Sequence, residues 1–321
     1  MLILNIFLII LGMALLVKGG DFLVDGASNL ARRFNVSELA IGLTIVAFGT
    51  SAPELVVSLS AAIGSHPEIA LGNVFGSNNI NLMLILGITA VITPLAVQKN
   101  TIRYEIPFSL LAAIILFVLA NFAFLTGEKN IISRIDGVIL LLFFALFVFY
   151  VFKSMKNTEI SAEKTSVKLF SLGKSILFIV LGFISLILGG RVVVNSAVYI
   201  AQALNISEKI IGLTIVAVGT SLPELVTSIT AVIKKSEDIA IGNIIGSNIF
   251  NIFLILGASS LVRPMEYSPV FNRDIYVLIA GTLFLLLSMF TGKKNRLDRW
   301  QGAALALAYV GYVAFMIVKN D

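Results

Sequence analysis

Apolar residues occur along this chain in long runs, and short clusters of polar and charged residues separate the runs. About 20 apolar residues in a helix cross the hydrocarbon core of a bilayer. The runs therefore predict ten membrane-spanning helices. We place these spans at residues 2–30, 38–64, 67–93, 104–126, 135–152, 171–201, 208–233, 238–262, 274–291 and 299–318.

The composition excludes an ordinary soluble domain. Of the 321 residues, 58% are hydrophobic and 13% are charged, too few polar residues to cover a soluble surface. The chain has no cysteine, which excludes disulfides and thiolate metal sites. Its one histidine, His66, lies in a short polar gap before Pro67, which indicates a solvated loop residue. The fold class predicted is therefore all-α integral membrane, with the lipid bilayer as partner.

The basic residues predict an orientation. If the N-terminus faces outward, 15 Lys and Arg residues lie in cytoplasmic loops and 6 lie on the other side. This bias predicts a multi-pass protein of the cell (plasma or inner) membrane with both termini extracytoplasmic. Because the basic residues lie between spans, the net charge of +5 predicts orientation and no nucleic-acid partner. We interpret the apolar N-terminus as a retained first span, not as a signal peptide.

The strongest signal in the chain is an internal repeat. Residues 41–56 read IGLTIVAFGTSAPELV and residues 211–226 read IGLTIVAVGTSLPELV, with 14 of 16 positions identical. Residues 70–87 and 240–257 match at 11 of 18 positions, at the same offset of 170. The chain is therefore predicted to contain two homologous halves.

Each half holds five predicted spans. Because five is odd, the second half must enter the membrane from the opposite face, so the two repeats are inverted. Inverted repeats place a substrate site near the midplane, where broken helices of both halves meet. We expect a first five-helix repeat at 1–152, a cytoplasmic linker at 153–170 and a second five-helix repeat at 171–321.

One acidic residue lies near the centre of a span in each half. Glu54 is the only charge in residues 39–67, and its repeat partner Glu224 is the only charge in residues 210–233. A buried acidic side chain is costly in a membrane and indicates function. Protonated glutamates that serve helix packing are the alternative, but their matching positions favour a shared cation site.

The residues around each glutamate predict a broken helix. A Gly-Thr-Ser sequence and then a proline precede Glu54 and Glu224. Proline lacks an N–H and clashes with the carbonyl four residues earlier, so the helix should be interrupted there. Carbonyls freed in a membrane are tolerated only in a protein-lined or wet cavity. A simple proline kink is the competing interpretation.

The third and eighth spans add amides and hydroxyls. Ser77 and Asn81 lie four residues apart and share a helix face, as do Ser247 and Asn251. Nearby glycines at GxxxG spacing, Gly72-x-x-x-Gly76 in the first half and its counterpart in the second, indicate close helix packing. We expect the glycines to pack while the serine and asparagine side chains face the ion.

These candidate ligands are all oxygens, which hard cations such as Ca²⁺ and Na⁺ prefer. Soft transition metals call for Cys or His, and the predicted spans contain neither. Two ionised carboxylates give the site a charge of −2, which one Ca²⁺ neutralises and two or three Na⁺ can match by number. This competition is a physical basis for exchange. The chain is thus predicted to be a transporter and not an enzyme, with no cofactor beyond the transported ions.

The paired Gly-Thr-Ser-x-Pro-Glu and Gly-Asn-x-x-Gly-Ser-Asn motifs resemble the α-repeats of the sodium/calcium exchanger family, and the short chain is similar to its prokaryotic calcium/sodium antiporters. The resemblance covers nearly all spans. It implies a ten-helix inverted-repeat fold and alternating access, in which the first and sixth helices slide over a core. It also implies a stoichiometry of three Na⁺ per Ca²⁺.

The resemblance also implies roles for individual residues. Glu54 and Glu224 would bind Ca²⁺ and Na⁺ alternately, with the carbonyls of Thr50 and Thr220 completing the calcium site. The residues that would line the sodium sites are Ala47, Ser51, Ser77, Ala217, Ser221 and Ser247. Asn81 and Asn251 would lie at the centre. Potassium-dependent relatives carry Asp at the position of Asn251, so the amide here disfavours potassium co-transport.

Several alternatives stay open. A Ca²⁺/H⁺ antiporter would use the glutamates as proton carriers, although proton-coupled relatives carry Gly-Asn-Ala without a proline before the glutamate. A potassium-dependent Na⁺/Ca²⁺ exchanger is a second alternative. A passive channel has no need of inverted repeats around one occluded site, and a membrane scaffold gives no reason for two buried glutamates. No protein partner is implied.

Overall fold

The computed structural model describes residues 2–122, 130–156, 170–204 and 217–319, and this part of the chain is mostly helical. We number the helices α1 (Leu2–Phe34), α2 (Glu38–Thr50), α3 (Ala52–Ile63), α4 (Pro67–Ile92), α5 (Thr101–Asn121), α6 (Arg134–Lys156), α7 (Leu172–Ala203), α8 (Ala217–Thr220), α9 (Leu222–Ile233), α10 (Glu237–Val262), α11 (Pro269–Ser288) and α12 (Arg299–Lys319). The strands are β1 (Leu95–Ala96), β2 (Ile131–Ile132), β3 (Met265–Glu266) and β4 (Arg296–Leu297).

Seven of the described helices are long and apolar enough to cross a membrane, or eight if the bent pair α2 and α3 forms one span. This confirms the prediction of a helical protein that crosses the membrane several times. The number of ten spans stays a prediction. Helix α9 is a shorter apolar helix. Some of the sequence that bears on the prediction lies outside the described residues, namely 123–126 of the fourth span, 157–169 of the linker and 208–216 of the seventh span.

Helices α1 and α7 pack against each other in opposite directions. A Cβ added at Gly12 would lie 3.0 Å from the carbonyl oxygen of Gly189, and one at Gly26 would lie 3.0 Å from the backbone N of Ile179. Later residues of α1 therefore meet earlier residues of α7. These two helices are repeat equivalents, so this pair has the antiparallel relation that an inverted repeat requires.

Glycines hold α10 close to α2. A Cβ added at Gly242 would lie 2.7 Å from the carbonyl oxygen of Leu39, and one at Gly246 would lie 2.8 Å from the Cβ of Ala47. Close backbone approach through small residues is typical of packed membrane helices. The predicted packing role of the second glycine pair is therefore confirmed.

The equivalent glycines of the first half have a different setting in the described residues. A Cβ added at Gly72 would have one neighbour, Phe271 at 3.9 Å, and one at Gly76 would have no described heavy atom within 4 Å. By the repeat offset, the expected packing partners fall at 209–217, and 209–216 lie outside the described residues. The packing role of Gly72 and Gly76 stays a prediction.

The helix interruption predicted before each proline is present. Between α2 and α3 the chain bends by 48°. The residue at the break, Ser51, has φ −82° and ψ 5°, and Ser221 between α8 and α9 has φ −88° and ψ 7°. Neither pair of angles is helical. In each half the proline then occupies the first turn of the next helix, where its missing N–H is tolerated.

Two short strand pairs tie the halves together. Strand β1 of the first half pairs antiparallel with β4 of the second, with Leu95 opposite Leu297. Strand β2 pairs with β3 in the same way, with Ile132 opposite Met265. Each pair therefore joins a connecting loop of one half to a loop of the other half.

Helices α1 and α9 pack closely on each other at Gly20, near the middle of α1. A Cβ added at Gly20 would lie 2.8 Å from Oγ1 of Thr230 and 3.2 Å from a methyl carbon of Val226. Further along, the hydroxyls of Ser28 and Ser236 are 3.2 Å apart. These contacts leave no room for a solvent path between the two helices at Gly20.

An ion-pair cluster links α1 to the residue that follows α9. The Lys234 ammonium lies 2.8 Å from the Asp25 carboxylate and 3.2 Å from the Asp21 carboxylate. It also donates to the backbone carbonyl of Asp21 at 3.0 Å. Lys18, three residues before Asp21 in α1, lies 4.0 Å from its carboxylate. Lys234 is therefore the closer partner, and the spacing within α1 alone does not indicate it.

Candidate ion-binding site

The two predicted glutamates lie in the first turns of α3 and α9, directly after the helix breaks. Both side chains are fully buried, with Glu54 and Glu224 each 0% exposed. The backbone N–H groups at a helix N-terminus favour negative charge, so each break places a carboxylate where the helix dipole stabilises it. Broken helices and buried acids thus have a common local cause in the Ser-x-Pro-Glu sequence.

The serines at the breaks connect the two halves. Ser51 of the first half donates to Oε1 of Glu224 at 3.0 Å, and Ser221 of the second half donates to Oε1 of Glu54 at 3.3 Å. Each carboxylate therefore lies next to the helix break of the opposite half. The structure brings both glutamates into one buried cluster.

Two more serines join this cluster from α4 and α10. Ser77 donates to Oε1 of Glu54 at 3.4 Å, and Ser247 donates to Oε1 of Glu224 at 3.5 Å. The hydroxyls of Ser221 and Ser77 lie 3.3 Å apart. Four predicted hydroxyl ligands and two predicted carboxylates therefore form one group of oxygens.

Asparagines frame the glutamate helices. Asn73 donates from Nδ2 to the carbonyl of Glu54 at 3.1 Å and to the hydroxyl of Ser58 at 2.9 Å. Asn243 makes the same contact with Ser228 at 3.1 Å. The sequence prediction missed Ser58 and Ser228, although these two serines are related by the repeat offset.

Thr50 is held by both halves. Its side-chain hydroxyl donates to Oδ1 of Asn243 at 2.9 Å. Ala47 is fully buried, and its carbonyl accepts from the Ser51 N–H at 3.0 Å and from the Thr50 hydroxyl at 3.4 Å. Of the equivalent residues in the second half, Thr220 is half-buried and the side chain of Ala217 lies outside the described residues.

The central asparagines lie in wider, π-helical stretches of α4 and α10, at Ile80–Ile85 and Phe250–Leu256. Such stretches are frequent at functional sites. Asn251 donates to Oδ1 of Asn78 at 3.3 Å, and Asn81 is fully buried. The contact between Asn251 and Asn78 therefore connects the second half to the first half at the centre of the site.

Several buried oxygens of these side chains have no hydrogen-bond partner within the described residues. They are Oε2 of Glu54, Oε2 of Glu224, Oδ1 of Asn81 and Oδ1 of Asn251. A buried polar atom without a partner is costly, and a bound hard cation would satisfy these oxygens. The described part of the chain contains no cluster of three or more Asp, Glu, His or Cys side chains. The acidic charge of the site in this part therefore comes from Glu54 and Glu224.

A cleft opens beside this site, between α7 and the helix breaks. It has a volume of about 140 Å³ and is lined by Pro53, Val56, Val57, Ile187, Gly190, Arg191, Val194, Asn195, Gly219, Thr220 and Pro223. Gly190 is the repeat equivalent of Gly20, and the nearest described atom to a Cβ added there is the carbonyl oxygen of Gly219, at 3.9 Å. The α7 side is therefore open where the α1 side is closed.

The chain is similar to proteins of one family along nearly its whole length. The family model described as sodium/calcium exchanger protein matches residues 4–153 and 174–318. Sodium/calcium exchanger MaX1 of Methanosarcina acetivorans is 34% identical, with 99% of each chain covered. Inner membrane protein YrbG of Escherichia coli (strain K12) is 39% identical, with 87% of each chain covered.

A solved structure has the same fold. The sodium-calcium exchanger NCX_Mj, in crystals soaked with Na⁺ and Sr²⁺, superimposes with a TM-score of 0.83 at 35% sequence identity. The match covers 98% of this chain and 99% of that chain. The similarity therefore extends over both halves.

Proposed function

The chain belongs to the sodium/calcium exchanger family, and from this premise we propose that it exchanges Ca²⁺ for Na⁺ across the cell membrane. It is a multi-pass membrane protein whose family carries out cation antiport that includes Ca²⁺. Ca²⁺ and Na⁺ are its substrates and not resident cofactors. The proposal extends to the counter-ion, the residues that bind each ion and the stoichiometry.

The observation that carries the proposal is the crossed pair of contacts from Ser51 to Glu224 and from Ser221 to Glu54. These contacts make one site from two halves, so a single cation can contact both carboxylates. Ca²⁺ binds between Glu54 and Glu224 with further oxygens from the Thr50 and Thr220 carbonyls. Calcium takes 6–8 oxygens, which two carboxylates alone do not supply.

Sodium occupies the same region when Ca²⁺ is absent. Ser51, Ser77, Ser221 and Ser247 offer neutral oxygens around the carboxylates, and the carbonyls of Ala47 and Ala217 extend the set. Asn81 and Asn251 lie at the centre as neutral amides. Because Na⁺ needs less negative charge per ion than Ca²⁺, several Na⁺ can share the ligands that hold one Ca²⁺. The two occupancies exclude each other, and this exclusion couples the fluxes.

We further propose three Na⁺ per Ca²⁺. With both glutamates ionised, the site is neutral with one Ca²⁺ and carries +1 with three Na⁺. Each cycle then moves one net charge across the membrane. A sodium gradient that drives calcium flux should therefore drive a current, and a zero current during that flux would exclude this stoichiometry.

Alternating access accounts for the difference between the two sides of the site. The α7 side has an open cleft and the α1 side is closed by the Gly20 and Lys234 contacts. Exchange requires that the open and closed sides interchange. We propose that α1 and α7, which pack on each other along their length, move together over the remaining helices to achieve this interchange.

The test is uptake of radioactive Ca²⁺ into vesicles, with sodium, potassium and proton gradients imposed one at a time. Glu54→Gln and Glu224→Gln remove one charge each and should abolish sodium-driven uptake. Glu68→Gln is the matched control, because Glu68 is exposed at the start of α4. Full exchange by either buried variant would exclude this site.

The same assay separates the alternatives. Uptake driven by a pH gradient without sodium would identify a Ca²⁺/H⁺ antiporter with the glutamates as proton carriers. A requirement for potassium together with sodium would identify a potassium-dependent exchanger. Calcium flux without any counter-ion would identify a passive pathway. We expect uptake with the sodium gradient alone.

A further inference from the structure

A cationic side chain lines the open cleft. Arg191 lies in α7, 12 residues before the helix ends at Ala203, which places it about 18 Å from that end at 1.5 Å per residue. Its side chain is exposed to the cleft, together with that of Asn195 one turn later. Charged residues within membrane spans face water-filled cavities or paired groups.

Arg191 has no paired group in the part of the chain that the structure describes. Among the described residues, none donates to, accepts from or forms an ion pair with its guanidinium, whereas the equivalent residues of the other half are paired. Asp21 and Asp25 occupy the positions of Arg191 and Asn195 in the first repeat, and both contact Lys234. No described neighbour therefore neutralises the charge of Arg191.

The cleft leads toward the ion site. Its wall includes Pro53 and Pro223, the residues directly before the two buried glutamates, and Thr220. A cation that approaches the glutamates from the open side therefore passes through the field of Arg191. Fixed charges that line a cleft raise or lower the local concentration of mobile ions according to the sign of the ion charge.

We propose that Arg191 sets the ion specificity of the open side by repelling Ca²⁺ more strongly than Na⁺. This inference rests on the proposed exchange function and adds a specificity-determining residue to it. The repulsion acts through electric potential, and the local concentration of an ion falls exponentially with the product of potential and ion charge. If the potential reduces the local Na⁺ concentration by a factor f, it reduces the local Ca²⁺ concentration by f squared.

The size of the effect follows from Coulomb's law. Across about 8 Å of water, one unit charge changes the local concentration of a monovalent ion about 2- to 3-fold. The corresponding change for a divalent ion is about 4- to 9-fold. Added salt screens both effects, because the Debye length is about 8 Å at physiological ionic strength.

The test compares wild-type protein with Arg191→Gln and Arg191→Lys in right-side-out and inverted vesicles. The half-saturating concentrations of Ca²⁺ and of Na⁺ are measured at each face, at low ionic strength and again with added N-methylglucamine chloride. At one face only, Arg191→Gln should lower the half-saturating Ca²⁺ concentration about 4- to 9-fold and that of Na⁺ by the square root of this factor. Arg191→Lys keeps the charge and should resemble wild type.

Lys235→Gln is the control for loss of one positive charge, because Lys235 is exposed after α9 and outside the cleft. This variant should leave both half-saturating concentrations unchanged. The difference between wild type and Arg191→Gln should shrink as N-methylglucamine chloride is added. Arg191→Met provides a second neutral variant if Arg191→Gln does not fold.

Three results would overturn the inference. Equal fold-changes for Ca²⁺ and Na⁺ would mean that Arg191 biases the conformation instead of the local ion concentration. No change with either neutral variant would mean that cations do not pass its field. A change that persists at high salt would indicate packing. If wild-type vesicles show no sodium-driven calcium uptake, the proposed function is wrong. The wild-type measurement therefore separates failure of the proposed function from failure of the Arg191 inference.

Discussion

Ser51 and Ser221 each donate a hydrogen bond to the glutamate carboxylate of the opposite half. The position of each carboxylate therefore depends on the broken helices of both halves. A hydroxyl that donates to Oε1 fixes the carboxylate, so that Oε2 stays free for a cation. The same hydroxyl oxygen can turn toward an ion. Loss of one serine should therefore weaken ion binding without removing the charge that binds the ion.

We expect Ser51→Ala to raise the half-saturating Ca²⁺ concentration about 10-fold or more, because a hydrogen bond to an ionised carboxylate contributes about 1.5–3 kcal/mol. The measurement is calcium uptake as a function of Ca²⁺ concentration. Ser60→Ala is the matched control, since Ser60 is exposed on the same helix as Glu54. An unchanged concentration dependence in Ser51→Ala would mean that this hydroxyl does not orient the Glu224 carboxylate.

Much of this residue-scale arrangement could be predicted from the sequence because the repeat marks it twice. A single buried glutamate can be a packing residue, but Glu54 and Glu224 at equivalent positions indicate a shared role. Ser58 and Ser228 were missed because a lone serine in an apolar span looks like any small residue. Only the contact with Asn73 shows that Ser58 supports the site.

At the scale of helices, glycines bring α2 and α10 close enough for their polar residues to meet. Thr50 at the end of α2 reaches Asn243 of α10 at 2.9 Å, a distance that the contact at Gly242 makes possible. Helix packing and site geometry are therefore coupled. A substitution that separates these helices should affect both.

We expect Gly242→Ala to reduce stability by about 1–3 kcal/mol, the usual cost of overpacking. Its Cβ would lie 2.7 Å from the carbonyl oxygen of Leu39 and 2.8 Å from the backbone N of Leu43, so the backbone must shift. The measurement is the thermal unfolding temperature in detergent. Gly311→Ala is the control, because no described heavy atom lies within 4 Å of a Cβ there. A Gly242→Ala protein as stable as Gly311→Ala would contradict the packing role.

The ion pairs of Lys234 should favour the conformation in which the α1 side is closed. We expect Lys234→Met to lower the ratio of that conformation to the alternative conformation about 2- to 5-fold, since a partly exposed ion pair contributes about 0.5–1 kcal/mol. The chain has no cysteine, so Val56→Cys supplies a single thiol in the opposite, open cleft. Its reaction with a hydrophilic thiol reagent should slow, by at most the same factor.

The control for this experiment is Lys235→Met in the Val56→Cys background, because Lys235 is the exposed neighbour of Lys234. That variant should react at the unchanged rate. Faster reaction of the Lys234→Met protein would contradict the expectation, since it would mean that the ion pairs favour a closed cleft.

The sequence predicts elements well where long apolar runs and prolines mark them, and less well where the backbone departs locally from an α-helix. The break before Pro53 is predicted, but its position at Ser51 depends on local φ and ψ angles. The π-helical stretch Ile80–Ile85 has no comparable signal, because all its residues except Asn81 are apolar and a shift of the helix face is therefore not visible in the sequence.

At the scale of the whole molecule, the strand pairs β1–β4 and β2–β3 join loops of different halves. Paired loops must lie on the same side of the membrane. The predicted topology satisfies this condition, because it places β1 and β4 on the cytoplasmic side and β2 and β3 on the outer side. The absolute orientation of the molecule stays a prediction from the basic residues.

We expect a C-terminal alkaline phosphatase fusion to be active and a C-terminal green fluorescent protein fusion to be dark in a bacterial host, because both termini should face away from the cytoplasm. The measurement is enzyme activity and fluorescence at matched expression. Fusions made after Lys153 are the internal control and should give the reverse pattern, since that residue is predicted to be cytoplasmic. A fluorescent C-terminal fusion would reverse the orientation.

At this scale, the sequence could not predict which side of the site is open. The repeat motifs are nearly identical, so they describe both sides in the same way. The open cleft at Gly190 and the closed contact at Gly20 are properties of one conformation. Two equivalent glycines therefore have different surroundings in the same molecule.

Lys234 has glycine, Gly64, at its equivalent position in the first half, so the ion-pair cluster has no counterpart on the opposite face. Two separate copies of one half, assembled head to tail, would carry the same residue at both places, and their two resting conformations would have equal energy. Fusion into one polypeptide removes that constraint, because each copy can mutate alone. The ion gradients still decide the direction of net flux, but between transport cycles the fused chain can favour the conformation that is open to one side of the membrane.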